Sequence, residues 1–250
     1  MIQATQETIL ELPSGARARA LRTPRDGAPV VLLLHGAAGN ANTFALCREA
    51  WSWADLWCLD LPGRGGSDGP PRDAVSDLAA FVRAAIETAG IRPLVVGHSL
   101  GGGVALELGL SSPDILRGIV MISSGARLRV SPQILEAART ATEPLRLDFA
   151  FADRSVAPAY QAVANETPLA TTAADWAACD GFDVRERLPS LRAPLALVWG
   201  SADALTPPKF QHWLAEATGA HTQELEGMGH MLPWEAPDAV AEAVRTWTPS

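Results

Sequence analysis

The chain is short of most features that would mark a secreted, membrane-bound or nucleic-acid-binding protein. It has three cysteines, Cys47, Cys58 and Cys179, with no C-x-x-C pair and no metal-ligand spacing. So few and so scattered, they fit buried thiols in a reducing compartment. No apolar run approaches the roughly 20 residues that a membrane span needs. The first residues, Met1 to Glu7, have neither the basic nor the apolar region of a secretory leader, so the expected location is cytoplasmic. Positive charge is also scarce. Lys and Arg number 20 against 28 Asp and Glu, a formal net charge of −8. That balance argues against nucleic acid and anionic membrane surfaces as partners, since both select basic patches. Repeats and low-complexity tracts are absent. No His/Asp/Glu cluster has metal-ligand spacing. Gly63-Arg64-Gly65-Gly66-Ser67 looks like a phosphate loop, but it lacks a G-K-[ST] ending and does not fit G-x-G-x-x-G. No metal, nucleotide or other cofactor is expected.

What is present is a chain of 250 residues, 48% of them hydrophobic, enough for one large α/β domain with an insertion. Glu7 to Leu12 and Arg17 to Arg22 alternate around Pro13-Ser14-Gly15 and predict an antiparallel hairpin. Continuous apolar runs at Val30–Leu34, Asp55–Leu61, Leu94–Val96, Arg117–Ser123 and Leu195–Trp199 predict strands buried on both faces of a parallel sheet. A last short strand is expected at Thr222–Leu225. Helical spacing falls between the strands, near 42–51, 73–89, 209–218 and 237–247. From about Ala126 to Leu188 no strand run is convincing. Helical pieces recur instead, near 132–142, 157–165, 171–179 and 184–188. The block is too long for a plain connection. The expected organisation is a core domain from residues 1–125 and 191–250 with a helical cap at 126–190.

The chemistry centres on Gly97-His98-Ser99-Leu100-Gly101, which ends one apolar run and opens a helical segment. This is the strand–turn–helix context of the G-x-S-x-G nucleophile elbow. The alternative is a glycine-rich turn in which Ser99 only caps the helix. A reactive serine needs a base within hydrogen-bond reach. Among five histidines, His35 ends a strand, His98 points away from its neighbour Ser99, His212 lies mid-helix and His221 opens a short strand. His230 sits in a Gly-Met-Gly-His loop after the last strand and is the candidate base. Asp203 follows Leu195–Trp199, 27 positions before His230, and gives the order Ser…Asp…His that the elbow predicts. Asp180, Asp183 and Glu226 are weaker candidates for the orienting acid. The oxyanion hole is expected at the backbone N–H groups of Leu100 and Ala37, the latter among small residues that allow close approach of a substrate. Trp176 and Trp234 are candidate pocket residues, with core packing as the alternative for each.

His35-Gly36-Ala37-Ala38-Gly39, Asp60-Leu61-Pro62-Gly63-Arg64-Gly65-Gly66-Ser67, Gly97 to Gly102, Gly200 to Asp203 and Gly229-His230 together resemble the α/β-hydrolase superfamily over nearly the whole chain. The resemblance implies an eight-stranded, mostly parallel sheet with its second strand antiparallel and a helical lid after the sixth. It carries the nucleophile to Ser99, the acid to Asp203, the base to His230 and the oxyanion donors to Ala37 and Leu100. Within the superfamily the chain looks like the small cytoplasmic carboxylesterases and lactonases. Haloalkane dehalogenases and epoxide hydrolases have an aspartate where Ser99 stands. The histidine-glycine-glycine-glycine loop of hormone-sensitive lipases is missing. The expected activity is hydrolysis of small to medium-chain carboxylic esters, by a monomer or homodimer acting on a small-molecule substrate. A carbon–carbon hydrolase, lactonase, perhydrolase or acyl transferase would use the same triad, and a binding protein could keep the scaffold.

Overall fold

The five apolar runs fold as central strands of one sheet, and their side chains alternate between two separate apolar layers. Leu32 and Leu34 pack with Trp57, Leu59, Val95 and Met121 on one face. Val31 and Leu33 pack with Leu56, Cys58, Val96 and Val120 on the other. Strands buried on both faces have no polar side to show in sequence, which is why they read as unbroken apolar runs. The computed structural model describes residues 4–247. Met1 to Gln3, part of the stretch on which the expected location rests, and residues 248–250, the end of the expected core segment, lie outside them.

The strands are β1 Gln6–Glu11, β2 Arg17–Thr23, β3 Val30–Leu34, β4 Asp55–Leu59, β5 Leu94–His98, β6 Gly118–Ile122, β7 Leu195–Gly200 and β8 His221–Leu225. They form an eight-stranded sheet in the order β1-β2-β4-β3-β5-β6-β7-β8. β1 and β2 make the expected hairpin, β2 runs antiparallel to β4, and every pair from β4 to β8 is parallel. From β3 the chain goes first to β4 on one side and then to β5 on the other. That reversal opens a crevice at the carboxyl ends of β3 and β5, the place where open α/β sheets hold their sites.

The helices are α1 Cys47–Ala50, α2 Val75–Ala89, α3 Leu100–Ser111, α4 Pro132–Thr140, α5 Ala157–Ala164, α6 Leu169–Gly181, α7 Pro208–Thr218, α8 Leu232–Glu235 and α9 Pro237–Trp247. α2 buries Val75, Leu78, Ala79, Phe81, Val82, Ala85 and Ile86, one apolar stripe at helical spacing. α2 and α3 cover one face of the sheet, and α1 and α9 the other. Two expected helices differ. The stretch 42–51 is a 3-10 turn at Ala41–Phe44 followed by the short α1. Asn40 and Thr43 form a capping box there, which closes a tight turn before a longer helix can propagate. The piece expected at 184–188 is a 3-10 turn at Arg185–Ser190 with Pro189 inside, where the missing N–H cannot support an α-helix.

The β6–β7 connection carries α4, α5 and α6. Trp176, Cys179, Phe182 and Leu188 from this segment belong to the same apolar cluster as the sheet. A smaller cluster around Phe151, Tyr160, Met231 and Trp234 joins it to the loop after β8. Among the described residues no helix is long and apolar enough to cross a membrane.

Candidate active site

Ser99 occupies the turn between β5 and α3 with φ 52° and ψ −116°, a left-handed conformation that costs a non-glycine residue about 1–3 kcal/mol. Neighbouring segments hold it there. The Ser99 N–H donates to the Ile122 carbonyl at 2.9 Å, and the Ser124 hydroxyl donates to the Ser99 carbonyl at 2.7 Å. A side chain at Gly101 would collide with the Leu34 carbonyl, so the helix can start this close to β3 only with glycine. The Ser99 hydroxyl makes no capping bond to α3. Capping therefore does not explain a serine at this strained position.

The loops after β7 and β8 bring Asp203 and His230 together. His230 Nδ1 lies 2.9 Å from Asp203 Oδ2 and 3.1 Å from Oδ1, with both residues buried. The carboxylate also accepts the N–H groups of Leu205 and Thr206 at 2.9 and 2.8 Å and the Thr206 hydroxyl at 2.7 Å. Burial alone would raise the Asp203 pKa, but the His230 charge and these donors hold it well below the usual carboxylate range. A charged Asp203 accepts a hydrogen bond from Nδ1–H, which leaves His230 Nε2 as the free, basic nitrogen. Asp180 and Asp183 lie elsewhere: Asp180 accepts the Val130 N–H and Asp183 pairs with Arg185. Asp203 thus also caps the turn that leads into Thr206-Pro207-Pro208, the purely structural reading of an aspartate at that place in the sequence.

The other histidines have structural partners. The His35 ring accepts the Leu61 N–H at Nε2 and so must donate from Nδ1 to the Gly36 carbonyl. Burial and the Arg64 charge push its pKa well below the usual value. His98 Nε2 donates to the His230 carbonyl at 3.0 Å, and the His230 N–H donates to the Ala150 carbonyl at 2.8 Å. The backbone of His230 is therefore held from both sides, by the sheet and by the β6–β7 connection.

The loop after β3 is set against Ser99. A Cβ placed on Gly36 would come 3.1 Å from the Ser99 Cβ. Ala37 follows, half-buried, and Ala38 takes φ 59°. The Ala38 N–H donates to Asp175 Oδ2 at 2.9 Å. Asp175, on α6, also holds Arg64 in a two-pronged ion pair with both distances 2.6 Å, and both side chains are fully buried. The Gly39 carbonyl accepts the Thr167 hydroxyl at 3.1 Å, and Asn40 Nδ2 donates to the Val163 carbonyl and Glu166. The Gly63–Ser67 stretch that resembles a phosphate loop is thus structural, because it delivers Arg64 to this pair. Sequence reading missed Arg64 and Asp175, which are 111 positions apart.

Ser99 and His230 line one cavity of about 860 Å³, within the size range of small-molecule sites. Trp176, Leu128, Val130 and Leu205 form part of its apolar wall. Trp234 is not part of that wall. It packs edge-on against Tyr160, ring centroids 6.0 Å apart, in the small cluster under the loop after β8.

The fold agrees with the chain's relatives. The Alpha/beta hydrolase family matches residues 31–243. The chain belongs to that family. It is 30% identical to polyketide synthase ThaQ of Burkholderia thailandensis over 90% of its own length, and spans 12% of the length of that protein. It is 27% identical to a pimeloyl-[acyl-carrier protein] methyl ester esterase of Neisseria meningitidis, covering 79% of this chain and 84% of that one. The enol-lactonase of Burkholderia xenovorans LB400 superposes with TM-score 0.85 at 21% identity, covering 96% of this chain and 98% of that one, and so shares the fold.

Proposed function

We propose that this hydrolase-family chain cleaves carboxylic esters of small molecules through an acyl-enzyme on Ser99. The observation that carries the reading is the pairing of a strained, half-buried Ser99 with the His230–Asp203 couple on one apolar cavity. Ser99 Oγ attacks the carbonyl carbon while His230 Nε2 takes the hydroxyl proton. Asp203 keeps the imidazole in the required tautomer and offsets its positive charge. The negative charge on the carbonyl oxygen is met by the N–H of Leu100, at the first turn of α3, and of Ala37. Each such donor lowers the barrier by about 2.7–4 kcal/mol in comparable sites. His230 then returns the proton to the leaving alcohol and activates the water that releases the acid. Residues 126–190 act as the cap that gives the acyl pocket its walls, Trp176 among them. The named activity of the Neisseria relative, a methyl ester esterase, supports ester cleavage over the other reactions that the triad serves.

Ser99→Ala tests this directly. Turnover of p-nitrophenyl butyrate should fall by about 10⁴- to 10⁶-fold. The thermal midpoint should hold, because alanine keeps the Cβ and the same backbone conformation and the hydroxyl makes no capping bond to α3. An organophosphate should add one covalent mass to the wild-type chain and none to the variant. Full activity in Ser99→Ala would reject the reading.

A further inference from the structure

The proposed ester site has a sign bias at its mouth that the whole chain lacks. Acidic residues outnumber basic ones, 28 to 20. Yet the residues lining the cavity include Arg127, Arg129, Arg185 and Lys209 and no aspartate or glutamate. All four cations are exposed, so they stand at the opening, whereas His230 is buried and Ser99 half-buried. They come from two sides. Residues 127–130 alternate, with Leu128 and Val130 buried and Arg127 and Arg129 on the solvent side. Lys209 comes from the start of α7, across the mouth.

Two of the cations share one counter-charge. Asp183 pairs with Arg185 at 2.6 Å and with Arg127 at 3.6 Å. Among the described residues Arg129 has no hydrogen-bond or ion-pair partner, and Lys209 has no carboxylate: its ammonium lies over the Phe210 ring, 5.0 Å from the centroid. The nearby Asp180 carboxylate is committed to the Val130 N–H at 3.1 Å. Positive side chains around a concave apolar wall raise the local potential and draw in anions. A neutral ester gains nothing from them.

We propose that the preferred substrate is an ester with a carboxylate or phosphate at the end remote from the scissile bond, held at the mouth by Arg129 and Lys209. The scissile carbonyl meets Ser99, the apolar spacer lies along Leu128, Val130 and Trp176, and the anion meets the free cations. The inference rests on the ester-hydrolase reading of Ser99, His230 and Asp203.

The test compares methyl hydrogen adipate, neutral methyl hexanoate and a methyl ester of matched length ending in phosphate. Wild-type kcat/KM should favour an anionic ester over the neutral one at least tenfold at low salt. That ratio should shrink several-fold at 0.5 M salt, as screening requires. The higher of the two anionic rates identifies the anion as carboxylate or phosphate. In the double variant Arg129→Glu, Lys209→Glu the ratio should drop at least tenfold, and because it is a ratio it does not depend on how much of the variant folds. Equal rates on charged and neutral esters in the wild type, or a ratio unmoved by the double variant, would overturn the proposal while leaving the ester-hydrolase reading intact. That reading falls separately, if turnover survives Ser99→Ala.

Discussion

Ser99 lies between two regions of opposite character. On one side the loop after β3 is fastened to α5, to α6 and to the turn between them through paired polar contacts: Asp175 with Arg64 and the Ala38 N–H, Thr167 with Gly39, and Asn40 with Val163 and Glu166. On the other side the cavity mouth exposes Phe149, Phe210 and Trp213 to water, each at 44% or more of its surface, beside unpaired cations. The same β6–β7 connection contributes to both. Where it meets the loop bearing Ala37 its polar groups are paired, and at the cavity it presents the apolar Leu128, Val130 and Phe149 beside exposed arginines. The first arrangement fixes a backbone geometry. The second leaves apolar surface free for a ligand to cover. Substitutions should therefore act on stability at one side and on substrate affinity at the other.

The largest effect is expected at the Arg64–Asp175 pair. Removing one partner strands the other charge in a dry site, so Arg64→Met or Asp175→Leu should each cost about 3–5 kcal/mol of stability in urea unfolding. The double variant Arg64→Met, Asp175→Leu should recover most of that loss, because no charge is left buried. Single variants within about 1 kcal/mol of wild type would show that the pair is not the fastening it is taken to be.

The paired side should also carry the protein's response to acid. Burial, followed by the charge of His230, pushes the His98 pKa down to about 3. The unfolded chain takes that proton near pH 6.5. Between those values the unfolded state binds a proton that the folded state refuses, so stability is whole above about pH 6.5 and is lost as pH falls toward 3. The slope approaches about 1.4 kcal/mol per pH unit for each such histidine, and His35, lowered in the same direction, adds to it. Asp203 contributes only below the ordinary carboxylate range, as its depressed pKa dictates. His98→Gln, measured by urea unfolding at pH 7 and 4.5, should flatten the profile. An unchanged slope would place the acid response elsewhere.

These two sides were unequally legible in the sequence. The strands could be read because burial on both faces leaves an apolar run, and the elbow because a strained serine next to a helix start demands glycines at fixed positions. Asp203 and His230 could be placed because each follows a strand on the same edge of the sheet. Arg64 and Asp175 could not, since nothing local links residues so far apart. One clue existed: Asp175 falls on the buried stripe of α6 between Thr172 and Trp176, and a carboxylate on such a stripe implies an unseen cation. Trp234 shows the opposite error. Its place near His230 in sequence suggests the pocket, but Trp234, inside the short α8, packs on Tyr160.

The smallest stability effect belongs to the mouth. Phe210 and Trp213 are 52% and 44% exposed, so their apolar contacts are already half lost to water in the folded chain. Phe210→Ser and Trp213→Ser should leave unfolding free energy within about 0.5 kcal/mol of wild type, as surface changes do. Substrate binding should feel them more. A ligand that covers either ring loses burial of part of an aromatic side chain, where full burial is worth about 1.5–3 kcal/mol. KM for octanoyl esters should accordingly rise several-fold, with acetyl esters, too short to reach the mouth from Ser99, unchanged. The chain-length dependence is the informative measurement. A rise in KM that is the same for acetyl and octanoyl esters would mean that the rings shape the floor of the site and not its entrance. A large loss of stability would mean that the exposed and fastened sides are coupled, and the contrast between them would fail.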